Sequence, residues 1–333
     1  MTSALLLAGV AAAAFAASCL LTRLLIDILR RGAVLDRPNL RSSHAVPTPR
    51  GGGIAVIGVS IAAWLVLSGA GVVPAEAIVV ALASLGLAVV SWLDDLRGLS
   101  PGLRLLAQVA AVATGMIALP HGPVFQGWLP PGLVAIAGVL VWVWFVNLFN
   151  FMDGIDGIAA SEAIAVGVGI AAVAFAGANG GLALAAPAMA VGGAALGFLM
   201  WNWAPARIFL GDVGSVPLGY LLGFLLFELA LRGAWQAALI LPSYFLADAS
   251  LTLLRRLAHG ERLWQAHRQH FYQRAVQRGL GHDAVVLRVV AADLVLIACA
   301  WAAAKGSGFA ALALAALTVA ALLLVLGRGW KRT

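Results

Sequence analysis

The chain has 333 residues, of which 62% are hydrophobic and only 11% charged, and it carries a formal net charge of +7. A soluble domain has roughly 25% charged residues, so this composition excludes an ordinary soluble protein. The positive charge does not by itself indicate a nucleic-acid partner, because cytoplasmic loops of membrane proteins retain Lys and Arg. Cys19 and Cys299 lie far apart in apolar stretches. They are predicted to be small buried hydrophobes, not a disulfide or a metal site.

Long apolar stretches with short polar breaks predict an all-α polytopic integral membrane protein with one domain and about eleven transmembrane helices. No basic residue precedes the first stretch, and Arg23, Arg30 and Arg31 follow it. This polarity is typical of a retained anchor with its N-terminus outside. The predicted helices cover residues 4–22, 54–70, 75–93, 103–119, 132–149, 158–177, 181–200, 216–231, 234–254, 285–304 and 308–326.

Basic residues concentrate in two connections, which fall on the same side of the predicted membrane. Residues 30–53 include five arginines and residues 255–284 include six. The positive-inside rule therefore places both connections in the cytoplasm, together with the C-terminus, and the N-terminus in the periplasm. The cytoplasmic connections predicted in this way are 30–53, 94–103, 150–158, 201–215 and 255–284.

The first of these connections holds His44 and Arg50, and Arg50 is followed by three glycines. Such a loop could close over phosphates through its backbone N–H groups. It could equally be a loop that only obeys the positive-inside rule. Both interpretations stay open on the sequence.

Two adjacent acids, Asp94 and Asp95, close the third predicted helix. In a low-dielectric setting adjacent carboxylates repel, so either one pKa rises or a cation is held between them. A solvated helix end with Arg97 as the partner is the simpler alternative. Two acids directly after a long apolar run favour a functional role.

Residues 147–157 read NLFNFMDGIDG and carry polar side chains at steps of three. Neighbouring members would share a helix face, and Gly154 would help to end the helix. Amides and carboxylates suit Mg²⁺, phosphate or the edge of a nucleobase. Caps and turns use the same residue types, but four at regular spacing exceed what a cap needs. The four are Asn147, Asn150, Asp153 and Asp156.

A polar turn with Phe209, Gly211 and Asp212 directly precedes the eighth predicted helix. Gly211, Gly214 and Ser215 could form a helix N-terminus that binds an anion. Asp212 is a hard oxygen ligand suited to Mg²⁺, and Phe209 offers a face on which a base could stack. Taken alone the turn is an ordinary N-cap, and it gains weight only from the other clusters.

His267 and His270 lie in a basic stretch with Arg268 and Arg274. Three positions apart on a helix, both histidines could face one phosphate. The spacing is wrong for a helical zinc pair, and no cysteine joins them. An amphipathic loop attracted to anionic lipid would explain the arginines but not the histidines.

Together these clusters resemble the polyprenyl-phosphate N-acetylhexosamine-1-phosphate transferases, glycosyltransferase family 4. The resemblance runs over nearly the whole chain: the DRP…PRGGG loop, the aspartate pair, N-x-x-N-x-x-D-G-I-D-G, the G-D-x-G-S turn and the histidine motif. It implies transfer of an N-acetylhexosamine-1-phosphate from a UDP-sugar to undecaprenyl phosphate in the bacterial inner membrane. UMP would be released, and Mg²⁺, or Mn²⁺ in its place, would be the cofactor.

The resemblance also implies roles for individual residues. Asp94 and Asp95 match a pair that deprotonates or orients the lipid phosphate. His267 and His270 match a histidine motif near the pyrophosphate, which makes these four the predicted catalytic residues. Asp212, with Asp95, is the predicted Mg²⁺ site. The predicted substrate-binding residues are Asn147, Asn150, Asp153, Asp156, Asn202, Phe209, Arg50 and Arg268.

The motif His267-Arg-Gln-His270 departs from the three consecutive histidines of the phospho-MurNAc-pentapeptide translocase. It favours the branch that initiates O-antigen or other cell-surface polysaccharides, hence lipopolysaccharide or cell-wall synthesis. The alternatives are a CDP-alcohol phosphotransferase, whose acids form one contiguous motif, and a transporter or flippase. A transporter would have ionisable groups near the bilayer midplane, whereas the acids here are expected at helix ends. The expected partners are undecaprenyl phosphate, a UDP-N-acetyl sugar and the bilayer, with no nucleic acid, and a homodimer is left open.

Overall fold

The computed structural model describes residues 2–36, 46–120, 122, 126–176, 181–262 and 267–328. His44, singled out in the sequence, lies outside these residues. The described chain is almost entirely helical, apart from one short pair of antiparallel strands that joins Leu35 to Pro49. The elements are α1 (Ser3–Arg31), β1 (Leu35–Asp36), β2 (Thr48–Pro49), α2 (Gly53–Gly69), α3 (Glu76–Arg97), α4 (Pro101–Ala118), α5 (Pro131–Phe151), α6 (Ile158–Ala176), α7 (Gly181–Asn202), α8 (Asp212–Leu229), α9 (Trp235–Ile240), α10 (Ser243–Ala258), α11 (Phe271–Gln277), α12 (His282–Ala302) and α13 (Gly308–Gly327).

Helix α8 forms the centre of the molecule. Every residue of α8 after Asp212 is buried, and the helix packs against α2, α3 and α5 as well as against α4, α6 and α7. A helix that is hydrophobic all round is expected in such a position. Because Asp212 is the first residue of this central helix, the rest of the fold fixes where its carboxylate lies.

Small residues let α7 approach its neighbours closely. A methyl group on Gly193 would lie 2.5 Å from the carbonyl oxygen of Ala11, and one on Gly197 would lie 2.3 Å from that of Phe15. Close backbone approach at small residues is the usual mode of helix association in membranes. It explains why this segment is rich in Ala and Gly, and it ties α1 to the body of the protein.

The predicted helices overlap helices of the structure, with one correction. The ninth, predicted over 234–254, is broken at Leu241 and Pro242 into α9 and α10. Proline has no N–H to donate to the preceding turn, and its ring clashes with the carbonyl four residues back, so the helix stops there. Glycines with positive φ, Gly233 and Gly306, also interrupt the stretches 212–240 and 282–327.

Within the described residues, eight helical stretches are long and apolar enough to cross a membrane, and α2 is a shorter apolar helix. The chain is therefore a multi-pass membrane protein. The count of eleven crossings and the orientation of the termini stay predictions. What matters for the site is that α3 and α5 end, and α6 and α8 begin, at the same end of the bundle, where α11 also lies.

Candidate active site

Two adjoining cavities open at this end of the bundle. The first, about 400 Å³, is lined mainly by charged and polar residues and is called here the polar cavity. The second, about 430 Å³, has polar groups and an apolar wall from Leu87, Val90 and Leu105, and is called the mixed cavity. The two share Asn150, Asp212, His267 and Gln273.

Almost all of the residues predicted for the site line one cavity or the other. The polar cavity is lined by Arg50, Asn150, Asp153, Asp156, Asn202, Phe209, Asp212, His267 and Arg268. The mixed cavity is lined by Asp94, Asn147, Asn150, Asp212, His267 and His270. Asp95 lines neither cavity. Every other predicted site residue lies on the wall of one of the two.

The acids Asp94 and Asp95 do not act as a pair. The side chain of Asp94 faces the mixed cavity, where Oδ2 lies 3.0 Å from Nη1 of Arg104 and Oδ1 accepts the N–H of Leu99 at 2.6 Å. The cation beside Asp94 is thus Arg104 and not Arg97. Consecutive residues on a helix point about 100° apart, which separates the two carboxylates.

Asp95 instead caps the central helix. Its side chain is 1% exposed, and its two oxygens accept the N–H groups of Asp212 at 3.2 Å and Val213 at 3.0 Å. These are orphan donors at the start of α8, which attracts negative charge. The anion predicted at this helix N-terminus is thus supplied from inside the protein by Asp95.

Arg50 joins the same group of charges. Its Nη2 lies 2.5 Å from Oδ1 of Asp95 and 3.0 Å from Oδ1 of Asp212. The backbone around it pairs with the turn before α8, since Gly51 and Gly52 both donate to the carbonyl of Phe209. Gly211 in that turn has φ +75, and a side chain there would meet Asp95 Oδ2 at 2.9 Å, so only glycine fits.

Asp153 and Asp212 face the polar cavity from different segments. Burial, together with the nearby charge of Asp212, raises the pKa of Asp153 to about 7. Acids held together in this way favour a bound cation. No cluster of three or more His, Cys, Asp or Glu among the described residues could hold a metal alone. Mg²⁺ commonly uses one or two carboxylates, waters and substrate phosphates, and Asp153 and Asp212 fit that pattern.

The segment 147–157 differs from the predicted helix face. Helix α5 ends at Phe151, so Asn147 and Asn150 lie on its last turns, whereas Asp153 and Asp156 lie in the following loop. Asn147 donates to Oε1 of Gln108 at 2.7 Å, and Asn150 accepts the hydroxyl of Ser215 at 2.7 Å. The acids still reach the cavity because the loop folds back over it.

Two further predicted residues are held by contacts within the protein. The amide of Asn202 accepts the N–H of Gly157 at 2.9 Å and donates to the carbonyl of Ile208 at 2.8 Å. Asp156 accepts the N–H of Ala206 at 3.0 Å, and its Oδ2 lies 3.2 Å from Nδ1 of His282. These contacts join the loop after α5 to the loop after α7 and fix the shape of the polar cavity.

The histidines lie just before a helix and not on one, because α11 begins at Phe271. Their ring centroids are nevertheless 4.9 Å apart. Burial, and the neighbouring His270 and Arg256, lower the pKa of His267 to about 4, so His267 is neutral at pH 7. His270 is 2% exposed, and its Nδ1 lies 3.2 Å from Oδ1 of the fully buried Asp248.

Several residues of the site were missed in the sequence. They include Arg104, Gln108 and His282, none of which lies in a conspicuous polar cluster. A lone acid in an apolar helix is expensive and marks a functional position, and Asp248 in α10 carries this signal. Glu162 in α6 and Asp293 in α12, both buried, carry the same signal.

Residues 77–230 match the model of glycosyl transferase family 4, a range that holds the α3 acids, the 147–157 segment and Asp212. A phospho-N-acetylmuramoyl-pentapeptide-transferase of Synechococcus sp. (strain JA-3-3Ab) is 33% identical over 291 residues, covering 77% of this chain and 80% of the relative.

The chain belongs to glycosyl transferase family 4, the polyprenyl-phosphate hexosamine-1-phosphate transferases. Two further relatives of this family have other names. A probable undecaprenyl-phosphate N-acetylglucosaminyl 1-phosphate transferase of Bacillus subtilis is 27% identical over 82% of this chain and 79% of its own. A decaprenyl-phosphate N-acetylglucosaminephosphotransferase of Mycolicibacterium smegmatis is 29% identical over 78% and 73%.

Proposed function

We propose that this family member transfers an N-acetylhexosamine-1-phosphate from a UDP-sugar to undecaprenyl phosphate and releases UMP. The observation that carries the proposal is the junction of the two cavities at Asn150, Asp212 and His267. A transferase must bring a water-soluble donor and a lipid acceptor to one point. The polar cavity and the mixed cavity satisfy that requirement, because they join at the carboxylate of Asp212.

The polar cavity suits the nucleotide donor. Phe209 offers an aromatic face, and Arg50 and Arg268 bring positive charge to the wall. Planar guanidinium groups bind phosphate oxygens with two hydrogen bonds. We assign the uridine and the pyrophosphate to this cavity, with Asp156 and Asn202 setting its shape as well as lining it.

The cofactor in the proposal is Mg²⁺, held by Asp212 and Asp153 with waters and donor phosphates. It would neutralise the charge that builds up when one phosphate attacks another. Asp95, predicted as a second ligand, already accepts hydrogen bonds at both oxygens and pairs with Arg50. Its proposed part is to hold Asp212 and Arg50 in place.

The mixed cavity suits the lipid phosphate. Its apolar wall includes Leu105, which is 50% exposed on the outer surface of the bundle. The acceptor's hydrocarbon can therefore enter from the bilayer while its phosphate reaches Arg104 and the junction. Asp94 orients Arg104 through the 3.0 Å ion pair, and in this way acts on the acceptor phosphate.

The site is proposed to face the cytoplasm from the bacterial inner membrane, because Arg50 and Arg268, one from each arginine-rich connection, line the polar cavity. The histidine motif favours the branch that initiates O-antigen or other cell-surface polysaccharides. A UDP-MurNAc-pentapeptide donor is the second candidate, since the 33% identical relative is named a phospho-N-acetylmuramoyl-pentapeptide-transferase. A transporter or flippase, the remaining alternative, would turn over no sugar nucleotide.

The test is an assay of UMP release by purified protein in nanodiscs with undecaprenyl phosphate and Mg²⁺. The donors are UDP-GlcNAc, UDP-GalNAc, UDP-MurNAc-pentapeptide and UDP-glucose. We expect release with a UDP-N-acetyl sugar that depends on the lipid, is abolished by EDTA and falls at least about 100-fold in Asp212→Asn. The control Asp27→Asn, which alters an exposed ion pair with Arg23, should keep full activity. Failure to release UMP with any of the four donors would reject the transferase proposal. Full activity in EDTA would reject the role of the metal.

A further inference from the structure

Asp248 is a buried acid around which a small network is built. It lies in α10, is 0% exposed, and accepts hydrogen bonds from five donors. The N–H groups of Phe271 at 3.0 Å and Tyr272 at 3.2 Å begin α11, so Asp248 caps that helix from outside. The hydroxyls of Tyr244 and Thr252 complete the set.

The fifth donor is the ring of His270. Nδ1 of His270 lies 3.2 Å from Oδ1 of Asp248. An ionised carboxylate only accepts hydrogen bonds, so Nδ1 must carry the hydrogen, and in the neutral ring Nε2 is then a bare acceptor. Because His270 lines the mixed cavity and not the polar one, Nε2 is the ring nitrogen available to that cavity.

The ring of His267 carries its hydrogen on the other nitrogen. Nδ1 of His267 accepts the N–H of Gln269 at 3.3 Å. Nδ1 is therefore bare, and Nε2 of the neutral ring carries the hydrogen. His267 lines both cavities, so it offers an N–H donor at the junction while His270 offers an acceptor.

The loop that carries the rings is fixed from two sides. Tyr272 stacks on His270 with centroids 5.7 Å apart, and its hydroxyl donates to the carbonyl of Phe151 at 2.9 Å. Gly154 leaves room for this contact, since a methyl group there would lie 2.2 Å from the Tyr272 hydroxyl. The orientation of His270 is thus set by the end of α5 as well as by α10.

We infer that the two histidines have opposite tautomers with separate tasks, and that Asp248 is the positioning residue that sets the tautomer of His270. His270 presents a bare Nε2 to the acceptor phosphate in the mixed cavity, and His267 presents Nε2–H to the donor phosphates at the junction. This inference rests on the proposed function for the identity of the two phosphates.

The arrangement has a consequence for the proton of the acceptor. A phosphate monoester has a second pKa near 6, so part of the acceptor arrives with one P–OH group near neutral pH. Its proton passes to Nε2 of His270, and the electron pair of that oxygen forms the new bond to the sugar-linked phosphorus. The bond from this phosphorus to the bridging oxygen breaks, and UMP leaves with that electron pair.

The tautomers can be measured directly by ¹⁵N NMR of ring-labelled histidine in the full chain in nanodiscs. The chain has six histidines, so the single variants His267→Gln and His270→Gln assign the two signals. We expect His270 to be protonated on Nδ1 and His267 on Nε2 at pH 7.5. The same tautomer at both positions, or a hydrogen on Nε2 of neutral His270, would overturn the inference.

Asp248→Asn should shift the His270 tautomer and leave the His267 signal unchanged. Tyr244→Phe is the matched variant, because it removes one donor to Asp248 and leaves the contact with His270; it should alter neither ring. If Asp248→Asn does not fold, the wild-type spectrum still decides the tautomers, and the kinetic variant below decides the task of His270.

His270→Asn separates orientation from chemistry, since its amide can still donate to Asp248 but has no group in the place of Nε2. We expect kcat to fall by about 100-fold or more at saturating lipid, with a change of less than about twofold in the KM for the UDP-sugar. The control His259→Gln, an exposed histidine beside Arg255, should leave both unchanged. Full kcat in His270→Asn would refute the task assigned to His270.

The two proposals fail in different ways. Absence of turnover with every donor would reject the proposed function and leave the tautomer result standing. Turnover together with identical tautomers would reject only the inference.

Discussion

At the scale of one residue, the polar cavity disfavours the ionised form of Asp153. Burial and then Asp212 raise its pKa to about 7, with Asp95 and Asp156 adding to the effect and Arg50 opposing it. An unfolded aspartate has a pKa near 3.9. The folded metal-free protein therefore binds the extra proton between about pH 4 and pH 7, and its stability falls as the pH rises through this window.

Replacing Asp153 by Asn removes this penalty. In EDTA, Asp153→Asn should raise the unfolding temperature relative to the wild type, and more at pH 8 than at pH 5. The gain is at most a few kcal/mol, because the pKa difference is about 3 units at 1.36 kcal/mol each. Thermal unfolding in detergent at both pH values measures it, with Asp27→Asn as the control.

In excess Mg²⁺ the wild type should unfold at a higher temperature than Asp153→Asn, because a ligand that binds only the folded state stabilises it. The wild type would then gain more than Asp153→Asn. A variant that is no more stable than the wild type at pH 8 in EDTA would contradict the charge argument. Equal gains on adding Mg²⁺ would contradict Asp153 as a ligand.

At the scale of elements, the N-termini of α2 and α8 touch through backbone atoms. A methyl group on Gly53 would lie 2.2 Å from Cα of Gly214, and the N–H of Gly53 donates to the carbonyl of Leu210 at 2.9 Å. The PRGGG run therefore serves chain packing as well as placing Arg50. Of the two interpretations left open for that loop, backbone closure over a phosphate is not needed to explain its glycines.

Gly53→Ala should force these helix ends apart. Overpacking of this kind costs about 1–3 kcal/mol, and activity should drop with it because Asp212 begins α8. Gly58→Ala is the matched control in the same helix, since its methyl group would meet no atom of the described residues within 4 Å. That change should be neutral or stabilising by about 0.5–1 kcal/mol. Unfolding temperatures and rates of UMP release should both be lower in Gly53→Ala than in Gly58→Ala. Equal values in the two variants would contradict the packing argument.

The elements also mark what the sequence could and could not predict. Apolar length predicts the helices, and nearly all of the predicted site residues lie on the two cavity walls, whereas the wall residues Arg104, Gln108 and His282 were missed. The break at Leu241 and Pro242 was missed because the apolar run continues through it. The partners of Asp94 and His270, which are Arg104 and Asp248, come from other helices, and a single sequence does not encode such pairings locally.

At the scale of the whole molecule, two buried acids differ sharply from Asp248. Glu162 and Asp293 are each 1% exposed, and none of their carboxylate oxygens has a hydrogen-bond partner among the residues that the structure describes. A buried charge without partners is far more costly than a buried neutral group. We therefore expect both acids to be neutral in the folded protein.

Glu162→Gln and Asp293→Asn should each change stability by less than about 1 kcal/mol, because they replace a neutral polar group by another. Asp248→Asn should cost about 3 kcal/mol or more, since buried donors lose their acceptor. Unfolding temperatures at pH 7.5 rank the three variants. A loss in Glu162→Gln as large as in Asp248→Asn would show that the membrane-buried acids hold an ion or a charge.

The sidedness of the molecule is open to a direct test. Lys305 and His259 are both exposed and lie on opposite predicted faces. After replacement of Cys19 and Cys299 by Ala, Lys305→Cys should react with an impermeant maleimide in intact cells, and His259→Cys only after lysis. The reverse pattern would invert the predicted orientation and move the site to the periplasm.

Under the proposed function, the junction of the cavities at Asp212 lets the donor enter from water and the acceptor from the lipid phase. Neither reactant has to leave before the other enters, and no protein group has to carry the phosphoryl sugar in between. Initial-rate plots against the two substrates should therefore intersect instead of running parallel. A chiral label on the transferred phosphorus should emerge inverted, as a single in-line displacement requires.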